Sequence, residues 1–259
     1  MKRNFVIHTK EEIPKIRYAA RLTAGVRDQI RLLARPGMST YELDQLAGAL
    51  INETGGTSAF LGYHGFPGNI CISVNDEVVH GIGRPDRILQ ETDIVSIDVG
   101  INYEGGIGDT ALTFTFANNI PPDVQRLLEH TEKSLYDGIA QAKAGNHIRD
   151  ISRAVEKAAK AAHLGVVREY VGHGCGTKLH EPPEVPNFVC NQKGPKLVPG
   201  MILAIEPMLN LGTYKVFTEA DKWTVRSVDK SLSAHFEHMV LITENEPEIL
   251  TWPKMTQSK

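Results

Sequence analysis

Between Asp93 and Phe114 the chain reads DIVSIDVGINYEGGIGDTALTF. It sets two carboxylates, Asp98 and Asp109, among the apolar and β-branched residues of buried strands. Period two puts Ile94, Ser96 and Asp98 on one face of the first strand, and Asp109, Ala111 and Thr113 on one face of the second. An unpaired carboxylate in a core is costly, so a run that buries two of them implies a compensating cation.

A second stretch, MILAIE at 201–206, matches DIVSID at 93–98 residue for residue and also ends in a carboxylate. Gly37 and Gly145, Leu43 and Ile151, Ala47 and Val155, and Asp98 and Glu206 all stand 108 positions apart. Helix signals precede each strand run. Thr9 with Glu12 forms a capping box before a face of Ile16, Ala19, Ala20, Thr23, Val26, Ile30 and Leu33, which Pro36 and Gly37 end. Ser39 with Glu42 opens a second helix over Leu43, Leu46, Ala47 and Leu50, stopped at Gly55 and Gly56. Pro121 and Pro122 begin a third with Leu127, Leu128, Leu135 and Ile139, and a fourth runs from about Ile148 to His163. VVREYVGHG, MILAIEPML, KWTVRSV and FEHMVLIT read as the closing strands. The order helix, helix, strands thus occurs twice, which predicts one catalytic domain over 1–259 built from two half-domains, about 9–120 and 121–250, on a shared sheet.

Glu206 ends its strand as Asp98 does, and Glu237 opens the apolar run EHMVLIT. Singly, an acid at a strand end is commonly a turn former or solvated. Four of them at the ends of core strands are a set, and VGHGCGTKLHEPP adds His173 and His180 amid glycines. Four carboxylates are neutralised by two divalent ions, and a bridged pair is a known hydrolytic arrangement. Oxygen-rich ligation with one imidazole suits Mn²⁺, Fe²⁺ or Co²⁺, with Zn²⁺ and Ni²⁺ as the other candidates.

The gross composition narrows the class. The chain has 259 residues, a net charge of -3 and 41% hydrophobic residues, so it offers no general electrostatic attraction for nucleic acid or an anionic membrane. Cys71, Cys175 and Cys190 are odd in number and far apart, which argues for a reducing compartment, the cytoplasm. The opening MKRNFVIHTKEE meets charge before any apolar run, so neither a signal peptide nor an anchor is expected.

The ordered motifs YHGFPGNICISVNDEVVHGIG, SIDVG, GDTALTF, GHGCGTKLHEPP, AIEPM and FEHMVLIT resemble the type I methionine aminopeptidases, over about Thr9 to Thr243. The resemblance implies an α+β pita-bread fold, two pseudo-symmetric halves sharing a curved, mostly antiparallel sheet with helices on its outer face. It implies removal of the initiator methionine from nascent proteins whose second residue is small. Asp98, Asp109, His173, Glu206 and Glu237 match the ligands of two divalent ions, with Asp109 and Glu237 bridging. Glu206 matches the general base, and His80 and His180 the substrate-facing histidines. The methionine pocket matches Phe60, Tyr63, His64, Phe66, Cys71, Leu179 and Trp223, with His80 and His180 at the scissile bond. Cys175, Leu179, Phe60 and Gly83 depart from the usual pattern, which bears on pocket shape and not on ligation.

Prolidase-like relatives share these ligands but carry a large preceding domain, and type II enzymes carry a late insertion, for which the interval from His180 to Glu206 leaves little room. A non-catalytic binding scaffold would show broken ligation, and all five ligand positions are intact. The expected partners are nascent polypeptide N-termini, with transient ribosome contact through Lys215, Lys222, Arg226 and Lys230 disfavoured by Glu219, Asp221 and Asp229. The expected state is a monomer.

Overall fold

The computed structural model describes residues 4–252. Its helices are α1 Glu12–Leu33, α2 Thr40–Glu53, α3 Pro122–Ile139 and α4 Ile148–Ala161. The capping boxes form: Thr9 N donates to Glu12 Oε2 at 2.8 Å and Glu12 N to Thr9 Oγ1 at 3.2 Å, while Ser39 N donates to Glu42 Oε2 at 2.7 Å. α1 buries Ile16, Ala19, Ala20, Thr23, Val26 and Ile30; Leu33, in its last turn, is exposed because the core ends there. α4 stops at Ala161, two residues before the expected end, where His163 turns left-handed at φ 55°.

The duplication is geometric as well as sequential. α2 and α4 begin and end 108 residues apart, as do the first residues of the strands Ile94–Tyr103 and Ile202–Ile205. The loops repeat too: Gly37 N donates to Leu89 O and Gly145 N to Leu197 O, both at 2.9 Å. Ser39 bridges Ile88 and His147 bridges Lys196, again at the same spacing. Each half therefore pins the start of its second helix to the loop that enters its main strand.

In the first half, Ile94–Tyr103 pairs with Gly106–Thr115 in a ten-residue antiparallel hairpin, and with Cys71–Val74 on its other side. In the second, the sheet order is Glu248–Ile249, His238–Leu241, Ile202–Ile205, Gly172–Gly174, Glu181–Val185. Every described pairing is antiparallel, and the curved surface consists of four hydrogen-bonded sheets. The two halves are joined by the pairing of Glu77–Val79 with Val225–Ser227 and, at the site, along a seam where Glu237 N donates to Ala111 O at 3.0 Å and Thr110 Oγ1 to Glu237 O at 2.8 Å.

The expected continuous strand MILAIEPML is broken. It ends at Ile205 and resumes as Met208–Asn210 in another sheet, because Pro207 has no N–H to donate and the chain changes sheets at Glu206. α1 lies directly on the first hairpin. A Cβ added at Gly108 would meet Thr23 Oγ1 at 2.1 Å and Ala19 O at 2.6 Å, which accounts for the glycine beside Asp109. The main core continues through both halves, from Ile97 and Val99 to Leu203 and Ile205.

Candidate active site

Register brings the first two acids together. Asp98 stands opposite Ala111 and Gly100 opposite Asp109, so the two carboxylates share a face one step apart. His173 stands opposite Ala204, the residue two before Glu206, and so shares that strand's face with Glu206. Glu237 enters across the seam on the bond to Ala111. The four carboxylates and His173 thus converge from both halves.

Their ligand atoms form overlapping groups. Asp98, Asp109 and Glu237 offer oxygens all within 4.8 Å of one another, and so do the ligand atoms of His173, Glu206 and Glu237. Glu237 belongs to both sets. His173 Nδ1 lies 2.9 Å from Gly174 O, and a carbonyl only accepts, so this nitrogen carries the hydrogen. That leaves the lone pair on Nε2, which lies 3.4 Å from Glu206 Oε1 and 3.9 Å from Asp109 Oδ2. Such an imidazole is oriented as a ligand by its backbone partner.

The electrostatics point the same way. Burial lifts the Asp98 carboxyl to about 7, and burial with mutual repulsion lifts Asp109 and Glu237 well above the carboxylate range; burial does the same to Glu206. Burial lowers His173 to about 3, keeping it neutral. Asp98 Oδ1, Asp109 Oδ1 and Glu237 Oε1 are buried with no hydrogen-bond partner. Orphaned acceptors beside an imidazole lone pair are the donor set a divalent cation requires, so these residues fit the group the sequence implies.

A cavity of about 180 Å³ opens over this floor. Its lining includes Phe60, Tyr63, Phe66, Cys71, Leu179 and Trp223 as well as His80 and His180, whereas His64 lies outside it and is exposed. His64 holds φ 49° in the turn that aims Tyr63, its ring 4.4 Å from the Tyr63 ring. Phe66 and Trp223 meet edge to face at 5.2 Å. Buried Asp44 anchors the loop carrying these aromatics, its Oδ1 accepting from Asn69 N at 2.7 Å and Ile70 N at 3.2 Å. His80 sits left-handed at φ 58°, and burial depresses its pKa to about 4.

His180 is held from beside. Glu181 Oε1 accepts from Thr177 N, Thr177 Oγ1 and Lys178 N at 3.0, 2.8 and 2.9 Å, closing the turn before His180. Behind it His8 Nε2 lies 3.1 Å from Glu181 Oε2, both side chains buried. One residue of the site escaped the sequence reading. His235 is buried in the cavity wall with Nε2 3.6 Å from Glu206 Oε2. The signal was present in HFEH, since period two sets His235 on the face of Glu237.

The sequence profile described as metallopeptidase family M24 matches residues 14–244. The chain is 46% identical over 246 residues to methionine aminopeptidase 1 of Bacillus subtilis, covering 95% of this chain and 98% of that one. It superposes on the crystal structure of the methionine aminopeptidase of Thermotoga maritima with a TM-score of 0.92 and 38% identity, covering 95% and 99% of the two chains. The prolidase of Pyrococcus furiosus shares the fold at a TM-score of 0.76 and 21% identity, with 96% of this chain matched to 66% of that one.

Proposed function

The chain belongs to metallopeptidase family M24, and from that premise we infer that it removes the initiator methionine from nascent chains with a small second residue, using two divalent ions. It is a metal-dependent methionine aminopeptidase, a hydrolase. The observation that carries the finer reading is the pair of ligand sets sharing Glu237 beneath an apolar cavity. Asp98, Asp109 and Glu237 would hold one ion and His173, Glu206 and Glu237 the other, and Asp109, with Oδ2 3.9 Å from His173 Nε2, would serve both. The donor set favours Mn²⁺, Fe²⁺ or Co²⁺, with Zn²⁺ and Ni²⁺ as alternatives.

When bound, such ions polarise a carbonyl and acidify water. The side chains supply the rest. Phe60, Phe66, Cys71, Leu179 and Trp223, with the Tyr63 ring, enclose an unbranched thioether. Glu206 accepts a proton from the attacking water at a carboxylate oxygen and returns it to the leaving amine. His180 donates a hydrogen bond to the carbonyl oxygen as negative charge develops there, and His80 faces the peptide nitrogen. His235 lines the wall beside Glu206, its Nε2 3.6 Å from Oε2.

Among the described residues no helix is long and apolar enough to cross a membrane. The enzyme works in the cytoplasm, as a monomer, on polypeptides as they emerge. Arg226 gives little to any ribosome contact, since Asp76, Glu77 and Glu219 pair with it.

The test is methionine release from Met-Ala-Ser and Met-Leu-Ser by metal-stripped protein refilled with each ion, beside elemental analysis. Release from Met-Ala-Ser only, at two ions per chain, is the expected result. No release with any ion would overturn the enzyme reading, and full turnover at one ion per chain would overturn the dinuclear one.

A further inference from the structure

Tyr63 and His180 come from opposite halves and meet at the cavity, where Tyr63 Oη lies 2.7 Å from His180 Nδ1. Each is aimed by its own turn. Around Tyr63 the backbone is left-handed at Gly62 (φ 80°), His64 (φ 49°) and Gly65 (φ 90°), and the turn is closed by Tyr63 N to Phe60 O and Phe66 N to Tyr63 O, both 2.9 Å. The left-handed backbone at His64, which has a Cβ, is strained and persists because its surroundings enforce it. On the other side, the three bonds onto Glu181 Oε1 fix the turn that presents His180. Two anchored turns ending on one short bond make that contact part of the site's construction.

The bond has two senses. The hydroxyl can donate to Nδ1, leaving hydrogen on Nε2, or Nδ1–H can donate to the phenol oxygen, leaving Nε2 bare. The phenol is the stronger acid and an imidazole nitrogen the stronger base, so the first sense makes the stronger bond. In either sense Tyr63 Oη has His180 as its one protein partner among the described residues.

We propose, building on the role given to His180 above, that Tyr63 is a positioning residue that sets the tautomer of His180. Its hydroxyl donates to Nδ1, so hydrogen stays on Nε2, the nitrogen that then donates to the carbonyl oxygen of the scissile bond. Tyr63 is also a wall of the methionine pocket, so a side chain seated there packs against the group that orients the catalytic imidazole.

The test uses Zn²⁺-loaded protein with ¹⁵N-labelled histidine, in which His180 signals are identified by their loss in His180→Asn. In the wild type, His180 should be protonated at Nε2 and bare at Nδ1. In Tyr63→Phe, which keeps the ring, both nitrogens should shift toward a mixture of tautomers. Its kcat for Met-Ala-Ser should fall about 10-fold at unchanged zinc content, while KM moves by less than about 2-fold. A wild-type ring protonated at Nδ1 would overturn the proposal without any variant, and so would a Tyr63→Phe enzyme with unaltered tautomer and kcat. The spectrum does not depend on turnover: the expected tautomer in a protein that releases no methionine would uphold the hydrogen bond and count against the active-site reading instead.

Discussion

The two halves share a framework and differ where chemistry is done. Each has the same helix, the same glycine-to-loop bond and a strand beginning at the equivalent residue, Ile94 or Ile202. In the first half that strand runs unbroken to Tyr103 and its carboxylate, Asp98, lies inside a ten-residue ladder. In the second it stops at Ile205, and Glu206 leaves the ladder before Pro207. On the roles proposed above, the difference lets duplicated positions divide labour. A carboxylate clamped in a ladder is suited to holding an ion, whereas a longer one at a strand break has the reach to hold an ion and move a proton as well.

The sharpest way to break that contrast is to neutralise the two equivalent acids. Glu206→Gln should stay folded, keep part of its metal, and lose turnover of Met-Ala-Ser by about 10²-fold to 10⁴-fold, as expected for a missing general base. Asp98→Asn should chiefly lose metal, and excess Mn²⁺ should restore much of its activity. Near-normal turnover in Glu206→Gln, or the same metal content in both variants, would erase the distinction.

Removing metal tests whether both halves contribute charge to one site. With burial raising the folded pKa of Asp98 to about 7 and those of Asp109, Glu206 and Glu237 well above the carboxylate range, the metal-free folded state binds extra protons. Its stability from these groups is present at low pH and lost as pH rises from the unfolded carboxylate range, about 4, through about 7. Bound ions replace those protons and remove the loss. The histidines whose pKa values burial depresses, His80 and His173 among them, are neutral in both forms and cancel in the difference. The gap in melting temperature between Mn²⁺-loaded and metal-free protein should therefore widen from pH 5 to pH 7, and widen less in Asp98→Asn and in Glu206→Gln. A gap that is flat or narrows with pH would refute the shared site.

A smaller effect compares how each half seats its helix. Gly108→Ala forces a Cβ onto the backbone of α1 and should cost about 1–3 kcal/mol. In Gly138→Ala the new Cβ meets a side-chain methyl of buried Val155 at 2.8 Å and no backbone, and helix propensity returns up to about 1 kcal/mol. Equal losses in urea unfolding would show that the two packings do not differ.

The smallest effect should be symmetric. Ser39→Ala and Asp150→Ala each remove two hydrogen bonds at the start of an equivalent helix: Ser39 Oγ accepts from Glu42 N at 3.1 Å and donates to Glu42 Oε2 at 3.0 Å, and the Asp150 carboxylate accepts from His147 N at 2.9 Å and from Arg153 Nη1 at 3.0 Å. Each should cost about 1 kcal/mol. A gap between them larger than that value would mean that one half carries more of the global stability.

Helices, caps and the duplication were legible in the sequence alone, because each depends on residues within one or two turns, or on a spacing that can be counted. The same is true of the faces of the strands: alternation put Asp98 with Ser96 and Glu206 with Ala204 before any partner was known. What only the tertiary structure decided is which of those faces meet. The break at Glu206, the seam that brings Glu237 to Ala111, the place of His235 beside Glu206 and the bond from Tyr63 to His180 join residues far apart in the chain. The reach of a side chain across such distances follows from the curvature and packing of whole sheets, and alternation within a strand carries no record of it. His64 shows the limit plainly: its motif placed it with the pocket, but a left-handed turn of three residues sends its ring outward and aims Tyr63 inward instead.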